Sequence, residues 1–321
     1  VSVGRLLESL GGVRATVLGD LMLDEYIFGR ASRISPEAPV MVVRQERTSA
    51  VPGGAANVAK NVTALGGQVR VIGVVGADDA GAALGAALKA LPGTQATVVR
   101  DAGRVTTRKT RIVADHAHQV LRVDNETTDP VVRGVADQLI EAVESALRQS
   151  DVLILSDYMK GVLCDPVAAA AIEAARSRGV PVVANAKPGT ARLYRGAQLV
   201  TLNRSEASEL LGREVSAETA EEAACAAREE IGVEAAVVTL GERGLVAATA
   251  EGALGAVPPR IEVNDPAGAG DTVVAALALC RARGSLDQAA LQLAAEASAR
   301  VVRHVGVAVP DERDIAEIRG L

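Results

Sequence analysis

The run Asn264-Asp265-Pro266-Ala267-Gly268-Ala269-Gly270-Asp271-Thr272 leads into the apolar stretch VVAALALC. A small-residue loop that opens a helix presents unpaired backbone N–H groups at the positive end of the helix dipole. That arrangement suits phosphate and stabilises anionic charge. An aspartate in the first turn, Asp271, can take a proton from a hydroxyl beside it. The plain alternative is a glycine-rich turn with a capping aspartate. The Asp-Pro prefix, and a position after all the strand–helix units, weigh against it.

A second segment, Pro52-Gly53-Gly54-Ala55-Ala56-Asn57-Val58-Ala59, puts two glycines before a helix and an asparagine on its first turn. Gly53 and Gly54 permit close backbone approach, and Asn57 offers both donor and acceptor to a polar ligand such as a sugar. The alternative here is a helix-start turn with an incidental asparagine. No GxxxxGK[ST] occurs and the dipeptide Gly-Lys is absent, which excludes a P-loop kinase. No GxGxxG follows the first strand, which argues against a dinucleotide-dependent dehydrogenase.

These residues need a frame. Short β-branched runs at 16–19, 69–75, 152–156, 180–184, 199–202 and 236–240 alternate with helical stretches at 55–65, 81–91, 131–149, 166–178, 205–211 and 219–231. Two further helices, 270–284 and 286–304, close the chain. The alternation predicts βαβ units and a mostly parallel sheet covered on both faces. Ligands of such sheets bind beyond the carboxyl ends of the strands. Asp20, Asp157, Asn185, Lys187, Asn203, Glu206 and Gly241 all follow strands there. Residues 26–47 and 105–124 break the alternation and read as antiparallel strands outside the main sheet, pairing as a small lid.

Composition narrows the function. The 321 residues are 49% apolar with a net charge of −6, so nothing suggests a nucleic-acid footprint. Aromatic residues make up 1%, too few for a protein that grips bases or sugars by stacking. Cys164, Cys225 and Cys280 form no CxxC, and His116, His118 and His304 form no HExxH. A reducing cytoplasm is expected, with no signal peptide at the start. The apolar run from Val273 to Cys280 falls well short of the ~20 residues that span a bilayer, so no membrane partner is expected.

Together GGAANVA and DPAGAGDT resemble the two signatures of the PfkB (ribokinase-like) carbohydrate kinase family, with Ala267 where threonine is frequent. The resemblance covers essentially the whole chain and includes Asn203-Arg204-Ser205-Glu206 and the TLGERG turn. It implies a single domain over 1–321: an α/β three-layer sandwich with lid segments near 24–48 and 104–124. It implies an ATP-dependent kinase with Asp271 as base and the backbone N–H groups of Ala267, Gly268, Ala269 and Gly270 around the moving phosphoryl group. Asn203 would face nucleotide phosphates and Glu206 would act on Mg²⁺ through water. Lys187 would face the phosphates, Gly241 and Gly244 would shape the nucleotide pocket, and a monovalent-cation requirement stays open. Asp20, Asp24, Gly53, Gly54 and Asn57 would hold the sugar.

A narrower resemblance rests on Gly19-Asp20-Leu21-Met22-Leu23-Asp24-Glu25-Tyr26, on SRISPEAPV from Ser32, and on Ser156-Asp157-Tyr158-Met159-Lys160-Gly161. These look like the heptose kinases of lipopolysaccharide-core synthesis, which make D-glycero-D-manno-heptose 1,7-bisphosphate from the 7-phosphate on the way to ADP-heptose. A phosphorylated sugar needs cations, and Arg33, Lys109, Arg111, Arg122 and Lys160 are the candidates, with Asp157 beside them. Bifunctional members add a nucleotidyltransferase domain, so this chain resembles their kinase half or a stand-alone kinase. Two departures concern the nucleotide side: Asn185-Ala186-Lys187-Pro188 stands where the family has Asp-Pro-Lys, and Glu296 where a late helix carries asparagine. A kinase for ribose, a fructose-like sugar or a nucleoside, and a non-catalytic sugar sensor, remain open alternatives; a hydride-transfer enzyme is a distant one. The lid strands also imply a homodimer packed lid to lid.

Overall fold

In the computed structural model, residues 1–115, 118–284 and 286–321 are described. His116 lies outside them. In chain order the first half carries α1 (Val3–Ser9), β1 (Arg14–Gly19), β2 (Leu21–Ile34), β3 (Met41–Gly54), α2 (Ala55–Ala64), β4 (Gln68–Gly76), α3 (Asp79–Ala90), β5 (Thr94–Asp101), β6 (Thr107–Ala114), β7 (His118–Asn125) and α4 (Arg133–Leu147). The second half carries β8 (Val152–Ser156), α5 (Asp165–Arg176), β9 (Val182–Asn185), β10 (Leu199–Asn203), α6 (Arg204–Leu211), α7 (Ala220–Ile231), β11 (Ala235–Thr239), β12 (Leu245–Ala248), β13 (Ala253–Ala256), α8 (Ala269–Ala282), α9 (Gln288–Val301) and α10 (Glu312–Arg319).

The main sheet runs β13-β12-β11-β10-β9-β8-β1-β4-β5. From β11 to β5 every pair is parallel, and β12 and β13 turn back antiparallel at one edge. Alternate residues of each central strand face opposite layers. Val17, Val71 and Ile154 pack with α2, α8 and α9, whereas Leu18, Ile72 and Leu155 pack with α4 and α5. Both faces are therefore covered, and the strands read as continuous apolar runs. Alanine dominates the facing helices, as at Ala275, Ala276 and Ala278 of α8, so backbones approach closely without aromatic filling.

A second sheet, β3-β2-β6-β7, forms the lid. β2 with β3 and β6 with β7 are antiparallel hairpin partners, as expected; the seam that joins them, β2 with β6, is parallel. β2 and β3 are 14 residues each and begin and end in the core, at Leu21 and Gly54. The sequence reading missed β5, β12, β13, α1 and α10. β9 starts at Val182, two residues later than expected.

Candidate active site

Asp271 is the third residue of α8 and is 6% exposed. Its Oδ2 accepts the Asn57 side-chain N–H at 2.7 Å, and its Oδ1 accepts the Tyr158 hydroxyl in a very short contact. Burial pushes its carboxyl above the ordinary range, and the Tyr158 and Asn57 hydrogen bonds with the charge of Lys187 pull it back. Asn57 is fixed from α2. Asn61, one turn on, donates to the Asn57 carbonyl at 2.9 Å and accepts from Thr272 Oγ at 2.7 Å. The two signature segments therefore meet through side chains.

The loop before α8 supplies fewer free donors than expected. The Ala267 N–H goes to Asp265 Oδ1 at 2.9 Å, and the Ala269 N–H to the Pro266 carbonyl at 3.4 Å. The Gly268 and Gly270 N–H groups have no acceptor among the described residues. Gly268 sits at φ +89°, where a side chain would crowd Asn57. At Gly53 a Cβ would collide with Asp24 Oδ2, which explains that glycine; Gly54, at φ +59°, caps α2.

Asp20 and Asp157 occupy structural positions. Asp20 Oδ2 accepts the backbone N–H groups of Tyr158 at 2.8 Å and Lys160 at 3.1 Å, and its Oδ1 that of Val162 at 3.2 Å. Burial, with the neighbouring Asp157 charge, pushes the Asp20 carboxyl up to about 6. Asp157 accepts from the Met159 N–H at 2.7 Å, from the Tyr194 hydroxyl at 2.5 Å and from the Thr190 hydroxyl. Both carboxylates bracket the loop 157–161.

The lid contributes cations unequally. Strand register puts Asp24, Tyr26, Lys109, Arg111, Arg122 and Asp124 on one face. Arg111 pairs with Asp24 at 2.5 Å, and Lys160 pairs with Glu126 at 2.8 Å. Arg122 is taken up by Asp124 at 2.9 Å on a half-exposed edge. Arg33 stands apart from these: it pairs with Val42 near the far end of β2 and is exposed. It lies seven residues past Tyr26, roughly 20 Å of extended chain at ~3.3 Å per residue. Lys109 makes no ion pair among the described residues, and burial lowers its ammonium below the ordinary range. Lys60, which the sequence reading missed, lies on α2 near Asp24 and Asp271, with Nζ 3.4 Å from Asn57 Oδ1.

On the other side of Asp271 lies a cleft of about 740 Å³ lined by Gly241, Gly244, Leu245, Pro258, Gly270 and Ala299. Its size and apolar walls suit a nucleoside. Lys187 and Glu206 form a 2.5 Å ion pair, and Glu206 also closes a capping box with Asn203 at the start of α6. Asn185 Oδ1 is buried without a hydrogen-bond donor among the described residues. Glu296 does not line the cleft. It pairs with Arg300 and accepts from Gln292, while α9 presents Ala295, Ser298, Ala299 and Val302 to the cleft. Its departure from asparagine therefore leaves the cleft wall untouched.

The arrangement is a buried carboxylate between a cationic lid face and a nucleoside-sized cleft. The pfkB family carbohydrate kinase model matches residues 15–314. The chain belongs to that family. Among curated proteins it is 43% identical over 311 residues to the bifunctional protein HldE of Caulobacter vibrioides, covering 96% of this chain and 64% of that protein. It is 44% identical over 297 residues to HldE of Azorhizobium caulinodans, covering 91% and 61%. The chain thus spans somewhat less than two thirds of those relatives. Among solved structures, phosphofructokinase-2 from Escherichia coli in complex with potassium superposes with a TM-score of 0.80 at 21% identity, covering 97% of this chain and 98% of that one. Arabidopsis thaliana ribokinase complexed with ribose and ATP gives 0.73 at 20%, covering 97% and 99%. These structural likenesses carry the fold.

Proposed function

We propose that the protein transfers the terminal phosphoryl group of ATP to the anomeric hydroxyl of D-glycero-D-manno-heptose 7-phosphate. The product is the 1,7-bisphosphate, made toward ADP-heptose and the lipopolysaccharide core. The observation that carries this reading is the half-buried Lys109 on the lid face, a cation that makes no ion pair among the described residues, on the same sheet face as Arg111. A phosphate already on the sugar supplies an anionic partner. The HldE relatives and the SRISPEAPV run support the same substrate.

Asp271 takes the proton of the attacking hydroxyl as the new sugar O–P bond forms, and the bond to the departing ADP oxygen breaks. The Gly268 and Gly270 N–H groups receive the equatorial oxygens of the moving group. Lys187 sits 5.4 Å from the Tyr158 ring and acts on Asp271 as a positive charge, which supports a role for it toward the transferring phosphate. Mg²⁺, when bound, neutralises phosphate charge. Glu206 and the buried, unpartnered Asn185 Oδ1 are hard oxygen donors suited to its water shell.

A turnover assay with ATP across phosphorylated and free sugars tests the reading. Heptose 7-phosphate should be the fastest acceptor. Faster phosphorylation of ribose or fructose would remove the heptose assignment and leave a sugar kinase of another specificity, the second reading.

A further inference from the structure

The loop after β8 is held from several sides. Asp20 binds three of its backbone N–H groups, and Asp157 Oδ1 binds the Met159 N–H. Met159 adopts φ +55°, a conformation rare for a side chain of its kind. Gly161 adopts φ +80° where a Cβ would strike the Asp129 carbonyl, and its own carbonyl accepts the Val131 N–H at 3.0 Å. This bracing fixes one side chain, Tyr158. Two cations lie near its ring, Lys109 at 6.0 Å and Lys187 at 5.4 Å from its centroid. Its hydroxyl reaches Asp271 Oδ1.

We propose that Tyr158 is a positioning residue of the base, a donor that keeps Asp271 ionised and aimed at the acceptor hydroxyl, with Asp20 setting the loop that carries it. The inference rests on Asp271 as base. Burial drives the phenol well above its ordinary range, so Tyr158 stays protonated and always donates. A hydrogen bond to the charged form favours that form against the desolvation that Asp271 suffers. The other groups facing Asp271 are Asn57 and Lys60 from α2, Lys187 after β9 and Asp24 from the lid. None of the four touches Oδ1 among the described contacts, so the Tyr158 donor is not duplicated.

The test is the pH profile of kcat/KM with Tyr158→Phe. Loss of the donor raises the Asp271 pKa, so the acid limb moves to higher pH by about one to two units. Turnover lost at neutral pH returns toward wild type above the new limb, and KM for ATP stays unchanged. A limb that does not move, or a loss equal at every pH, overturns the proposal. If Tyr158→Phe does not fold, 3-fluorotyrosine placed at position 158 keeps the shape and strengthens the donor. The limb then moves to lower pH, and an unmoved limb overturns the proposal. Asp271→Asn separates the two ideas. Wild-type turnover in that variant removes the base and the proposal together, whereas an inactive Asp271→Asn with an unmoved Tyr158→Phe limb removes Tyr158 alone.

Discussion

Exchanging Asp271 for asparagine keeps the side chain's size and a carbonyl for one of its two donors, but removes the negative charge that accepts a proton. Turnover should fall by ~10²-fold or more while ATP binding, followed by calorimetry, changes little. The lid cations differ as targets. Removing Arg111 would strand Asp24, which is 2% exposed, and mix a folding defect into the result. Lys109 has no such dependent. Lys109→Ala should raise KM for the phosphorylated sugar by roughly 10- to 100-fold, the worth of one charge-assisted hydrogen bond. KM for any unphosphorylated sugar should stay put, and equal rises for both would show that Lys109 does not read the phosphate.

At the scale of elements, Asp20 ties β1 to the loop after β8. Its carboxyl is raised to about 6 from an unfolded value of 3.8, so the folded protein takes up this proton first. The group's contribution to stability therefore grows as pH falls through about 6 and is complete below the unfolded value. The ¹³C carboxyl shift of Asp20 should titrate near pH 6, and a midpoint at or below 4 would show that the three N–H donors outweigh burial and the Asp157 charge. The strand–helix alternation and the two lid segments were readable because apolar periodicity is local. β12 and β13 escaped because each is only four residues, half of them alanine. β5 escaped because it is an edge strand with one buried residue, Val99. Asp271 and Asn57 were legible from their small-residue contexts. Tyr158 and Lys60 were not, because their roles arise where β8, α2 and α8 converge, and no spacing along the chain encodes that. Asp20 and Asp157 were correctly placed at strand ends, but only hydrogen bonding shows that they serve the loop.

For the whole molecule, the lid is the part left uncovered. The face opposite Tyr26 and Arg111 carries Ile27, Ile112, Leu121 and Val123, and the last two are more than half exposed. Open edges at β3 and β7 add unpaired backbone groups. We propose a two-fold dimer through this face. Light scattering at micromolar concentration should give about twice the 32.8 kDa of one chain. Leu121→Glu with Val123→Glu should return it to the mass of one chain, and a single-chain mass for the unaltered protein would refute the dimer. Among the described residues no helix is long and apolar enough to cross a membrane.

The depth of Asp271 also bears on waste. A base that is 6% exposed, with a donor already on each oxygen, is poorly reached by stray water. ATP sitting in the cleft without an acceptor should therefore survive, and phosphate release without sugar should be far slower than transfer with it. Asn57→Ala opens space beside the carboxylate wide enough to wet it. Consumption of ATP should then outrun formation of sugar phosphate, and the ratio of the two, one-to-one in the intact enzyme, becomes a direct gauge of how well the site stays dry.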